Sequence, residues 1–168
     1  MIWKNRREDA GTAHVGQRLL TAESRSEDGR TPRGGSQLEL TLLIVEPEAA
    51  LRDLLESSLA LVFRQVHTAE SAADANRFVR RWKMDLVISN LDLLDESAWL
   101  MVSKWHIGRV PRHIWLYGPR QSGLDAHWAE FTHVEELIYF GEDWRRLPTL
   151  LIERVRQRTP GSIMVRCH

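Results

Sequence analysis

LELTLLIV (38–45) runs directly into EPEAALRDLLESSLALVF (46–63), and this junction decides the fold. The first piece is a near-continuous run of Leu, Ile and Val, the pattern of a strand buried on both faces. The second places Leu51, Leu54, Leu55, Leu59 and Val62 on one helical face. Outward from this pair the alternation repeats. RQVHTA (64–69) reads as a short strand. SAADANRFVRRW (71–82) reads as a helix with Ser71 as N-cap and Ala75, Phe78, Val79 and Trp82 facing inward. DLVISN (85–90) is a second apolar strand, ESAWLMVSKWH (96–106) a helix, and HIWLY (113–117) a strand entered through Val110–Pro111. SGLDAHWAEF (122–131) reads as a short helix and ELIYF (136–140) as a strand. PTLLIERVRQR (148–158) closes the series as a helix with Pro148 in its first position. Such alternation predicts an α/β fold: a five-stranded, doubly wound parallel sheet with helices on both faces.

The composition agrees. The chain has 168 residues, 43% hydrophobic and 27% charged, which suits one soluble globular domain. No apolar run approaches the roughly 20 residues of a membrane span, and MIWKNRREDA lacks the apolar core of a secretory signal. The single cysteine, Cys167, cannot form an internal disulfide, so a cytoplasmic setting is expected. Lys+Arg and Asp+Glu both number 23, and a formal charge of zero disfavours nucleic acid as a partner. Half of the ten glycines lie in residues 1–37, whose end, ESRSEDGRTPRGGSQ (23–37), is polar and broken by Pro32. That stretch reads as a disordered arm (1–37) before the domain (39–158), with a C-terminal tail at 159–168. Ten residues beyond 158 are too few for an output domain, so none is expected within the chain.

In a doubly wound sheet, chemistry gathers beyond the carboxyl ends of the strands. Those ends read Val45-Glu46-Pro47-Glu48, Ser89-Asn90-Leu91-Asp92, Leu116-Tyr117-Gly118 and Tyr139-Phe140-Gly141. LLIVEPEAALRDLL, VHTAESAADA and DLVISNLDLLDESAWLMV together resemble the receiver domain of two-component response regulators, a flavodoxin-like fold shared with chemotaxis regulators. The resemblance spans about residues 39–158 and implies the strand order 2-1-3-4-5. It also implies where the family's phosphorylation machinery should stand. The acidic pair that holds Mg²⁺ falls on Glu46 and Pro47, and the phosphoacceptor aspartate on Asn90. The Ser/Thr after strand four falls on Leu116 or Tyr117, and the lysine after strand five on Phe140. The Pro and Gly of the loop after strand three fall on Leu94 and Ala98. Mg²⁺ and the lysine neutralise phosphoryl oxygens, and the hydroxyl donates to one of them. With the second acid, the phosphoacceptor, the Ser/Thr and the lysine replaced, the resemblance implies a pseudo-receiver that is not an enzyme and holds no metal or cofactor.

Such a domain is expected to act through a protein partner or self-association, in a two-component-type pathway. The family's helix-four, strand-five, helix-five surface would be the docking face, with Trp128, Tyr139 and Trp144 as anchors. Apolar packing of Leu116 or Tyr117 and Phe140 is expected in place of the switch. The alternative is an atypical phosphotransfer receiver using Asp92 with Glu46, Glu48 and Mg²⁺. A third reading, a nucleic-acid-associated regulator, would use the basic ends, where Arg154, Arg156, Arg158 and Arg166 follow the last acid. Other signals fail on their chemistry. GPRQSGLD (118–125) has the glycine spacing of a phosphate loop but Leu124 and Asp125 where Lys and Ser/Thr are required. The histidines, His113, His127 and His133 among them, have no metal-ligand spacing. Trp99 and Trp105 stand six apart on one helix, so one is expected in the core and the other partly exposed.

Overall fold

The computed structural model describes residues 37–108 and 113–158. Five strands alternate with five helices: β1 (Leu38–Val45), α1 (Ala49–Leu59), β2 (Phe63–Ala69), α2 (Ala72–Arg81), β3 (Leu86–Asn90), α3 (Ala98–Gly108), β4 (His113–Gly118), α4 (Asp125–Thr132), β5 (Glu136–Tyr139) and α5 (Leu147–Arg158). A 3₁₀ turn, Trp144–Arg146, leads into α5. All pairings are parallel and the order is β2-β1-β3-β4-β5, as the resemblance implies. The expected arm and tail, and Val110–Pro111, lie outside the described residues, apart from Gln37.

The continuous apolar runs exist because the central strands are covered twice. Leu42, Ile44, Leu86, Ile88, Trp115 and Tyr117 face α1 and α5, where Leu51, Leu55, Leu151 and Val155 meet them. Leu43, Val45, Val87 and Leu116 point the other way, onto Ala75, Val79, Met101, Val102 and Trp105 of α2 and α3. Each fully buried Leu, Ile or Val contributes about 1.5–3 kcal/mol, so these two layers dominate stability.

Local chemistry sets the ends. Ser71 Oγ accepts the Asp74 N–H at 3.1 Å, the expected N-cap of α2. A second cap comes from far away: Asp95, in the loop after β3, accepts the N–H groups of Ala72 at 3.0 Å and Ala73 at 2.9 Å. Burial pushes the Asp95 pKa up, but these backbone hydrogen bonds outweigh it and leave the carboxyl below its usual value.

Two expectations are corrected. Trp82 does not face inward but is 43% exposed, because it is the C-cap of α2, with extended backbone that turns it off the helical face. It stacks instead on His67, beneath Arg81. Pro148 is not the first residue of α5, since the 3₁₀ turn lets the helix begin at Leu147. Trp105 is the buried member of its pair, donating to Asn76 Oδ1 at 2.6 Å, while Trp99 is half-buried.

α4 departs from the pattern of the others. Its buried residues are Asp125 and Thr132, and its large apolar side chains are outside. Asp125 Oδ2 accepts the Tyr139 hydroxyl at 2.8 Å and the Ser122 N–H at 2.7 Å, a polar tie from α4 to β5. Burial, then the hydrogen bond and charge of Asp125, raise the Tyr139 pKa, so the phenol remains a donor.

Candidate functional site

β1, β3 and β4 end side by side, with Val45 opposite Ser89 and Asn90 opposite Tyr117. The two-residue period of a strand therefore carries Glu46, Asn90 and Tyr117 to one edge on one face. Glu46 is the hub. It is 1% exposed, and three donors converge on its carboxyl. Oε2 accepts the Tyr117 hydroxyl at 2.6 Å and the Asn90 Nδ2 at 2.9 Å, and Oε1 accepts the Glu48 backbone N–H at 2.8 Å. A carboxyl removed from water without such partners would be strongly destabilising.

The surroundings hold this network still. Asn90 Oδ1 accepts the Asp92 N–H at 2.9 Å, so both ends of the amide are engaged. Arg52, on α1, donates to the carbonyls of Glu46 at 2.8 Å and Pro47 at 3.3 Å and fixes the turn after β1. Tyr117 is fully buried, and burial, then the Glu46 charge and hydrogen bond, push its pKa well above the ordinary phenol value. It stays a proton donor across the physiological range.

Each residue singled out in the sequence has a definite place. Glu46, Asn90 and Tyr117 are brought together. Leu116 is not: it points into the opposite core layer, so of the two candidates after strand four only Tyr117 reaches the site. Phe140 is half-buried against the α1–α5 layer. Gly118 ends β4 without a side chain, and a Cβ there would stand 3.0 Å from Leu91 Cδ1. Pro47 is half-buried, while Glu48 is the exposed N-cap residue of α1, its side chain making no capping hydrogen bond. Asp92 is exposed and lines, with Ser97, Trp99 and Arg120, an open cavity of about 550 Å³ between the loops after β3 and β4. Among the described residues no three His, Cys, Asp or Glu side chains are placed to hold a metal ion.

The expected apolar packing is found at Leu116 and Phe140, which sit in or against the core layers, and is corrected at Tyr117. There the contact is polar: the Tyr117 hydroxyl and one Asn90 amide hydrogen are both donated to Glu46 Oε2. The Tyr117 hydroxyl and both ends of the Asn90 amide are engaged within the site. An amide whose two ends are both bonded is neither a nucleophile nor a free ligand.

The expected interface anchors lie on α4, on β5 and in the 3₁₀ turn before α5. Trp128 is 40% and Trp144 36% exposed, and the Tyr139 hydroxyl is committed to Asp125. No hydrogen bond or ring contact joins the three, and Trp128 shares a groove with α3 instead. Sequence reading missed Asp95 and Asp125 as structural carboxylates. For Asp125 the signal was its place in the first turn of α4; for Asp95 no local signal existed.

Comparison with known proteins places this geometry in context. No family model matches the chain. It is similar to the virulence transcriptional regulatory protein PhoP of Shigella flexneri and of Salmonella typhi, 27% identical over 109 residues in each case. These alignments cover 59% of this chain and 49% of the relatives, so the chain spans about half the length of the curated relatives it matches. Among solved structures it resembles the response regulator receiver domain protein (CheY-like) from Methanospirillum hungatei, with a TM-score of 0.61 and 16% identity over 72% of this chain and 97% of that one. The chemotaxis response regulator CheY4 of Vibrio cholerae matches with a TM-score of 0.61 and 13% identity over 71% and 98%. The signal receiver domain of a putative Luxo repressor protein from Vibrio parahaemolyticus gives 0.60 and 21% over 71% and 92%. The fold is the receiver fold.

Proposed function

We propose that this receiver-fold domain is a two-component-type signalling or adaptor module that works by protein–protein contact and accepts no phosphoryl group. The observation that carries the reading is the closed network at the strand ends, where Asn90, Glu46 and Tyr117 satisfy one another. A receiver switches when phosphoryl contacts favour one of two conformations. Here the position of the acceptor is an amide already bound on both sides, and Phe140 offers no charge to a phosphoryl oxygen. On this reading the domain is a permanent one-state scaffold, needs no Mg²⁺ and is not an enzyme.

The test uses the full chain with acetyl phosphate, and separately with beryllofluoride, each with Mg²⁺. The expected result is no phosphoryl mass increment and no change in amide NMR signals. Phosphorylation of Asp92, abolished by Asp92→Ala, would overturn this reading in favour of the atypical phosphotransfer receiver.

A further inference from the structure

We infer that the outer face of α3 and α4 is a docking surface for a second copy of this chain. The first ground is the inverted polarity of α4. A surface helix normally turns its apolar stripe to the core. α4 buries Asp125 and Thr132 and leaves Trp128 40% and Phe131 64% exposed, with Leu124 at its N-cap also 64% exposed. Residues 124, 128 and 131 share one side of a helix, so this is a stripe and not a scatter. α3 extends it with Leu100 at 51% and Ile107 at 84% exposed.

Shape and size select the occupant. Between the two helices lies a groove of about 260 Å³ lined by Ser97, Trp99, Leu100, Ser103 and Trp128. Phe131 projects from the same face, its ring edge-on to Trp128 at 6.0 Å between centroids. A two-fold contact is self-complementary, so the patch must carry both a projection and the recess that receives it. This one does. Five large apolar side chains at these exposures present on the order of 500 Å², near the largest patch of an ordinary monomer. That is also about the apolar share of a standard interface of ~800 Å² per partner. A chain of formal charge zero meets no net repulsion from its own copy. The inference takes from the proposed function only that the domain acts through a surface.

Sedimentation velocity on the full chain tests it. The wild type should dimerise at roughly 10–100 μM, and Phe131→Glu should weaken the dimer at least tenfold. Leu61→Glu, which replaces the 77% exposed Leu61 between α1 and β2, should leave the dimer intact. Circular dichroism checks folding, and Leu100→Glu on α3 serves as the second variant should Phe131→Glu fail to fold. A wild type that stays monomeric at 100 μM overturns the inference, as does a dimer that survives both charged substitutions on this face. Neither result bears on acetyl phosphate labelling, so failure here is distinct from failure of the silent-pocket reading.

Discussion

Two regions of this domain treat their unusual residues in opposite ways. At the strand ends, polar groups are buried and every one of them is matched: Glu46 receives Tyr117, Asn90 and the Glu48 N–H within 3 Å. On α4, the buried groups are polar and the large apolar side chains are left without cover. A satisfied site has no residual demand for a ligand. An uncovered apolar stripe does, because covering it releases ordered water. The docking face proposed above accordingly lies on α3 and α4, away from the strand ends.

The comparison breaks most severely at its hub. Glu46→Ala strips the acceptor from the buried Tyr117 hydroxyl and from two part-buried donors, Asn90 Nδ2 and the Glu48 N–H, and an unsatisfied buried group costs about 1–3 kcal/mol. The expected loss is about 3 kcal/mol or more, read as a fall in the urea midpoint with unchanged slope. A loss under about 1 kcal/mol would show that the network contributes little.

Asn90→Asp probes the same site by charge. It sets a second carboxyl where Asn90 Nδ2 now lies 2.9 Å from Glu46 Oε2. Like charges at that range raise the pKa of the pair above the usual carboxylate value of about 4. An acid whose folded-state pKa is raised is fully accommodated below its unfolded value and loses stability as pH rises to the folded one. The variant should therefore match the wild type near pH 4 and be about 2 kcal/mol less stable at pH 7, with Mg²⁺ restoring part of the difference. A flat pH profile would show that the two carboxyls do not repel each other there.

Asp95→Asn gives a smaller effect of opposite pH sense. The Asp95 carboxyl is held below its usual value by the Ala72 and Ala73 N–H groups. Its contribution is present above the unfolded pKa of about 4 and disappears as pH falls through the folded one. At pH 7 the variant should lose about 0.5–1 kcal/mol, discounted because the carboxyl is largely exposed, and the gap should close in acid. Smallest of all, Phe131→Glu should leave monomer stability within about 0.5 kcal/mol, since the ring supports no core. A thermal scan at low protein concentration checks it. A larger loss would mean that Phe131 packs inward and that the two regions are less different than they look.

The sequence alone determined the alternation of elements, the two-sided burial of β1 and β3, the Ser71 cap and the absence of an aspartate at position 90. These are local facts: periodicity, a cap residue and a side-chain identity are legible one segment at a time. Strand order followed from resemblance, not from the residues, because pairing partners lie far apart in the chain. Only the tertiary structure decided that Tyr117 and not Leu116 reaches Glu46, since that depends on which face of β4 turns towards α1 and α5. The same is true of Asp95 capping a helix 22 residues earlier, and of α4 wearing its apolar side chains outside. A helical period shows that a stripe exists; which side of it meets the protein is settled by the neighbours it packs against.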